Sequence, residues 1–287
     1  MCHLLIDDDK PLLPIIDISK PDAYDLIRDA YEKWGVFQVI NHGLLVARPP
    51  LGIIKYGMAR ISSFYPKLMW SVGYRMMGSP VEHARQLWPQ DHAKFCEVME
   101  QCQAKMKTMC EKMVAMILGS LGLTHGENMK WFEPQNGGDR TQCVLQLNSY
   151  PVCPDPDRIM GVAPHTETSL ITLLDQCNIN GLQVYKDGEG WVAVEAMEGA
   201  LVVNLGDLMH IVSNGKFKSV LHRAVVNKTH HRISTVFFYG PPCDAKVSPL
   251  RKLVDFDHPP LYQPVMWKEY VEIKKSSFSK ALESIRL

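Results

Sequence analysis

The sequence carries no excess of either charge: 31 Lys and Arg balance 31 Asp and Glu across 287 residues. Without a basic block there is no electrostatic footprint for nucleic acid or for an anionic membrane surface, so neither is expected as a partner. No apolar run approaches the roughly 18 residues that a membrane span requires. The first residues, Met1-Cys2-His3-Leu4-Leu5-Ile6-Asp7-Asp8-Asp9, lack the basic-then-apolar order of a secretory signal. The cysteines (Cys2, Cys96, Cys102, Cys110, Cys143, Cys153, Cys177, Cys243) form no Cys-x-x-Cys pair. That spacing argues against a structural zinc site or a disulfide framework, and predicts reduced thiols in a cytoplasmic protein. Internal repeats, low-complexity tracts, a dinucleotide-binding glycine fingerprint and a phosphate-binding loop are also missing.

What is present is a chain that is 46% hydrophobic, enough for a sizeable core. Leu13 to Ile18 reads as a short strand stopped by Ser19 and Pro21. From Asp22, Tyr24, Ile27, Ala30, Tyr31 and Trp34 recur at helical spacing, Gly35 ends the helix, and Val36 to Ile40 returns to strand. A long helix is predicted between about Asp91 and Gly122. Its stripe of Phe95, Val98, Met99, Cys102, Met106, Met109, Met113, Met116 and Ile117 would pack against a sheet. From Cys143 the texture changes to short strands at 143–150, 169–174, 182–185, 191–194, 200–205, 219–226 and 232–239, punctuated by Gly, Asn, Asp and Pro. Strands at that spacing predict an antiparallel sandwich or jelly-roll barrel rather than an alternating βαβ fold.

The chemistry concentrates in His165-Thr166-Glu167 and His222. Residues two apart on a strand share a face, so His165 and Glu167 can grip one ion together. A second His from a neighbouring strand then completes two imidazoles and a carboxylate on one side of an octahedral iron, with open positions left for oxygen and substrate. His-x-Asp/Glu alone is weak, since His125-Gly126-Glu127 also fits it. Arg232-Ile233-Ser234, ten residues after His222, strengthens it. A guanidinium fork beside a hydroxyl on one strand face is a receptor for a carboxylate, and a buried Arg with no acidic partner in its strand needs an anion. In Val144 to Tyr150, alternation turns Gln146, Asn148 and Tyr150 to one face, where they could meet a bound acid. His210 reads as a packed core residue, His230 and His231 as solvated turn residues, and Asp207 as a helix cap.

These residues together resemble the plant 2-oxoglutarate- and iron(II)-dependent dioxygenases, over nearly the whole chain. The amino-terminal part, Leu13 to Asp17 and Trp34 to Gly43, is similar to that family's N-terminal region. Tyr56 to Ile61, Lys67 to Ser71, Leu87 to Gln90, Leu145 to Pro154, Phe217 to Arg223, Pro260 to Val265 and Trp267 to Tyr270 are similar to its gibberellin-hydroxylating branch. The resemblance implies a mainly β fold with flanking helices: a double-stranded β-helix (jelly-roll, cupin-like) core with an α-helical N-terminal region. It divides the chain into an N-terminal region, 1–125, a catalytic core, 140–245, and a C-terminal helical tail, 246–287.

It further implies Fe(II) on His165, Glu167 and His222. The co-substrate 2-oxoglutarate would be held through its distal carboxylate by Arg232 and Ser234, with Tyr150 and Asn148 nearby; O2 and ascorbate would serve as oxidant and reductant. The implied reaction is hydroxylation of a gibberellin-like diterpenoid acid, with 3-beta-hydroxylation the expectation, through a ferryl species. The alternatives are a dioxygenase of another plant metabolite, an oxidase that needs no 2-oxoglutarate, and a gibberellin-binding paralogue with impaired catalysis. Two departures stand out: Glu167 occupies the position of the family's Asp, and Leu44 to Ile54 is a short proline-bearing link where the family places a helix.

Overall fold

In the computed structural model, residues 12–44, 69–87, 92–123, 141–277 and 280–287 are described. The link after Leu44 and the His125-Gly126-Glu127 triplet lie outside them.

Side-chain alternation decides which way each strand faces. Strands β4 (Gln142–Tyr150), β6 (Ile171–Asp175), β9 (Leu201–Leu205) and β11 (Arg232–Gly240) form the centre of one sheet. Strands β5 (Val162–His165), β7 (Leu182–Lys186), β8 (Gly190–Val194) and β10 (His222–Ala224) form the other, in the order β5-β10-β7-β8. Apart from the β7–β8 hairpin, the chain changes sheet at each step from β4 to β11, which is the winding of the predicted jelly-roll. Three N-terminal strands enlarge the first sheet. Strands β1 (Ile15–Asp17) and β2 (Val36–Ile40) add beyond β9, and β3 (Val72–Met77) adds beyond β4, giving β1-β2-β9-β6-β11-β4-β3.

The two faces of the large sheet take different partners. Phe37, Val39, Leu145, Leu147, Leu173, Val203, Phe237 and Tyr239 face outward into the main core. There they meet helix α1 (Ala23–Lys33) and the 28-residue helix α3 (Ala93–Ser120). The predicted stripe of α3 is buried from Met99 to Ile117 in Met99, Cys102, Met106, Met109, Met113, Met116 and Ile117. Unbranched Met side chains let a long straight helix fill the uneven surface of a twisted sheet. Tyr31 anchors the joint, with its ring 4.7 Å from Phe37 and 5.5 Å from Phe217, pairs that contribute about 0.5–1.5 kcal/mol each beyond area burial. The inner face carries Leu174, Val202 and Val236 against Leu182, Val184 and Val194 of the small sheet, closing one end of the barrel with apolar contacts.

Helix α2 (Pro80–Leu87) precedes α3. After β9 come the short helix α4 (Asp207–Val212), the strand pair β12 (Lys246–Val247) and β13 (Val265–Met266), and helices α5 (Trp267–Ser277) and α6 (Ala281–Ser284). Three sequence expectations change. The strand expected at 219–226 shrinks to His222–Ala224. Strand β3, which lacks an alternating pattern, was not expected, and the strand expected to carry both His165 and Glu167 is instead β5, four residues that contain Pro164 and end at His165. Among the described residues no helix is long and apolar enough to cross a membrane.

Candidate active site

His165 closes β5 and His222 opens β10, and the two are direct partners across that strand pair. Their rings lie 4.3 Å apart between centroids. Each Nδ1 faces a backbone carbonyl: His165 that of Ala163 at 2.8 Å, His222 that of Val220 at 3.1 Å. A carbonyl only accepts, so each Nδ1 carries the proton and each Nε2 offers a lone pair. Those lone pairs converge on Glu167 Oε1, 3.2 Å from His222 Nε2 and 3.7 Å from His165 Nε2. Two neutral imidazole acceptors around a buried carboxylate are satisfied by a cation between them, so the donor set fits a divalent metal. Burial opposes ionisation of Glu167; without a cation, hydrogen bonds and charge from the two imidazoles in the form that carries a proton on Nε2 outweigh it and hold its carboxyl well below the usual range. Among the described residues this is the cluster of donors that could hold a metal ion.

The expectation that Glu167 shares a strand face with His165 is corrected. β5 ends at His165, and Glu167 lies in the loop beyond it. Its position comes from the loop backbone, where the Asp207 N–H donates to the Glu167 carbonyl at 2.7 Å. Gly206 makes that approach possible, since a Cβ there would lie 1.9 Å from the Ser169 carbonyl oxygen.

Arg232 and Ser234 do share an inward face and are both 1% exposed. Arg232 pairs with Tyr150 and Ser234 with Asn148 across β11 and β4. The guanidinium carbon lies 4.8 Å from the Tyr150 ring centre. Nε donates to the Ile179 carbonyl at 3.1 Å and Nη2 to Gln176 Oε1 at 3.2 Å, while Nη1 is buried with no partner. A buried cation with one donor to spare, beside a buried hydroxyl, fits the carboxylate of a bound acid. Asn148 donates to Ser234 Oγ at 3.4 Å and accepts from Gln146 Nε2 at 2.7 Å, so the predicted polar row is joined.

Sequence reasoning missed several contributors. Gln176, Ile179 and Gly181 sit in the turn after β6, where no local signal marks them. Arg75 on β3 is the register partner of Gln146, with its guanidinium carbon 5.3 Å from the Phe238 ring centre. Asp207 does not cap its helix. The cap is Gly206, and the buried Asp207 side chain accepts from Ser219 Oγ at 2.7 Å, Tyr270 Oη at 2.8 Å and Lys274 Nζ at 2.6 Å. His210 is a packed residue as expected, bonded to the Phe217 carbonyl and to Tyr262 Oη. His230 and His231 are exposed.

The chain's relatives agree with this chemistry. The model of the 2OG-Fe(II) oxygenase superfamily matches residues 141–241, the stretch from β4 through β11. That match defines the class, the iron(II)- and 2-oxoglutarate-dependent oxygenases. Over 305 aligned positions the chain is 46% identical to gibberellin 3-beta-dioxygenase 3 of Arabidopsis thaliana, covering 96% of this chain and 86% of that protein. It is 43% identical to gibberellin 3-beta-dioxygenase 1 of Pisum sativum over 99% of this chain and 84% of that one. The chain belongs to the gibberellin 3-beta-dioxygenase family. Both alignments run over more positions than the chain has residues, so it lacks residues that these relatives carry. Among solved structures, JOX2 in complex with 2OG, Fe and JA matches with a TM-score of 0.78 at 27% identity, over 96% of this chain and 90% of that one. The rice dioxygenase for auxin oxidation shares the fold, with a TM-score of 0.75 at 23% identity, over 96% of this chain and all of that one.

Proposed function

We propose that this enzyme hydroxylates a gibberellin-like diterpenoid acid at its 3-beta position, with His165, Glu167 and His222 as ligands of iron(II). Bound iron(II), with 2-oxoglutarate and O2, supplies an oxidation in which 2-oxoglutarate loses carbon dioxide to give succinate and one oxygen atom enters a C–H bond of the substrate. The observation that carries the reading is the pairing of two sites on one barrel, a metal-donor cluster and a buried Arg232 with an unsatisfied Nη1.

Each residue's part follows from its position. His165 and His222 present their Nε2 lone pairs because backbone carbonyls hold their Nδ1 protons. Glu167 supplies the negative charge that favours a divalent ion. Arg232 and Ser234 take the distal carboxylate of 2-oxoglutarate. Tyr150 holds the guanidinium flat, and Asn148 extends the polar row on the same face. Arg75, beside Phe238, is the cation we assign to the substrate's own carboxylate. The three-part division of the chain (1–125, 140–245 and 246–287) and a cytoplasmic location belong to the same reading, the latter supported by the free cysteines and the balanced charge.

The relatives' names favour a gibberellin over another plant metabolite, and the converging donors favour turnover over a binding-only paralogue. The test is purified protein with iron(II), ascorbate, 2-oxoglutarate and a 3-deoxy gibberellin precursor. One succinate should form per 3-beta-hydroxylated product. Succinate with none of these precursors, but with another metabolite, moves the substrate; no succinate with any substrate overturns the enzyme reading.

A further inference from the structure

A loop that follows a strand end has no ladder hydrogen bonds to fix it, and a Glu adds one more rotatable bond than an Asp. Something other than β5 must therefore hold Glu167. The loop is tied from the far end of the chain. Lys274, on α5, places its Nζ 2.5 Å from Thr166 Oγ1 and 2.6 Å from Asp207 Oδ2. Thr166 is the residue between the two ligands His165 and Glu167. Asp207 is fully buried and Lys274 is 9% exposed, so this is an ion pair withdrawn from water. Tyr270, one helical turn before Lys274, donates to the same Asp207 oxygen at 2.8 Å, and Ser219 holds the other at 2.7 Å. The backbone closes the circuit, with Asp207 N–H on the Glu167 carbonyl at 2.7 Å and Gly206 N–H on the Leu170 carbonyl at 2.9 Å.

We infer that Lys274 is a positioning residue of the metal centre, joining the C-terminal helix to the loop that presents Glu167. Its ammonium donates to Thr166 and to Asp207 at once, so the loop's side chain and the loop's backbone are referred to one buried carboxylate. A helix that would otherwise only cover the barrel thereby sets where the third metal ligand stands. The inference rests on the assignment of His165, Glu167 and His222 as iron ligands. Partners that orient metal ligands generally change metal affinity by about 10–100-fold when removed.

The experiment is anaerobic iron(II) titration of the full chain in saturating 2-oxoglutarate, followed by the visible charge-transfer band of the chelate, with a urea unfolding curve for each protein. Thr166→Val removes the hydroxyl but leaves the Lys274–Asp207 pair intact, so it separates loop positioning from helix docking. It should weaken iron binding by about 10-fold and shift the band, with the urea midpoint close to that of wild type. Lys274→Arg, which keeps the charge and can still donate to both groups, should bind iron better than Lys274→Met. If Lys274→Met does not fold, Thr166→Val decides. Wild-type iron affinity in folded Thr166→Val would overturn the inference and leave the ligand assignment standing. A wild-type protein that gives no band would overturn the ligand assignment and the inference with it.

Discussion

Arg232 and Tyr150 stand opposite each other across β11 and β4, with the guanidinium carbon 4.8 Å from the centre of the phenol ring. The ring supports the flat face of the fork, Gln176 and Ile179 take two of its edges, and Nη1 remains to be filled. A lysine at this place keeps the charge but loses the planar fork and the stacking. A hydrogen bond to a charged group contributes about 1.5–3 kcal/mol. Arg232→Lys is therefore expected to raise the 2-oxoglutarate concentration for half-maximal rate by roughly 10–100-fold, with the KM for the diterpenoid substrate little changed. Initial rates with each substrate varied in turn check it.

Gly181 offers an independent handle on the same guanidinium. A Cβ at Gly181 would lie 2.6 Å from Arg232 Cδ and Nε, so the buried Arg232 side chain would have to shift. Gly181→Ala should therefore mimic a weaker form of Arg232→Lys, raising the half-saturating 2-oxoglutarate concentration while leaving iron affinity in place. An unchanged 2-oxoglutarate response would show that Arg232 is not held where this arrangement puts it.

Glu167 is expected to be indispensable for metal. Glu167→Ala should lose iron by more than the roughly 10–100-fold that an outer partner costs, because it removes the one anionic donor. Glu167→Asp withdraws the carboxylate by roughly 1 Å while the Asp207 N–H still holds the loop backbone. Its iron affinity should fall between those of wild type and Glu167→Ala. Iron stoichiometry after anaerobic gel filtration orders the three.

Arg75 is exposed, so its effect should be small and confined to the diterpenoid substrate. Exposed ion pairs contribute about 0–1 kcal/mol, which limits the rise in KM for Arg75→Met to roughly fivefold. The methyl ester of the same substrate should show no such difference between the two proteins. Equal loss with acid and ester would remove Arg75 from substrate recognition.

Acid should weaken the fold partly through His210. Burial lowers its pKa below the ordinary 6.5, so the folded chain resists a proton that the unfolded chain accepts. The unfolded state then binds more protons as pH drops from 6.5 through the lowered folded value, and stability declines across that window. In chelator-treated protein, the urea midpoint should fall less for His210→Gln than for wild type between about pH 7.5 and 5.5. Parallel declines would place the acid sensitivity elsewhere.

What the sequence determined by itself was local or repetitive. The 3.6-residue stripe of Met99 to Ile117 and the two-residue alternation of Gln146, Asn148 and Tyr150 follow from bond geometry, and both elements form where they were expected. His165, Glu167, His222, Arg232 and Ser234 stood out in the sequence as candidates because of their chemistry: imidazoles and a carboxylate suited to a metal, and a fork with a hydroxyl suited to an acid. Tertiary structure alone decided what depends on register and on distant chain. It placed Tyr150 beneath Arg232, gave Arg232 the turn residues Gln176 and Ile179 as partners, and moved Glu167 off the strand into a loop. It also turned Asp207 from an expected cap into the buried partner of Lys274, 67 residues away. Such contacts leave no periodic trace, because a sheet that exchanges strands between two layers brings together residues whose separation along the chain has no rule.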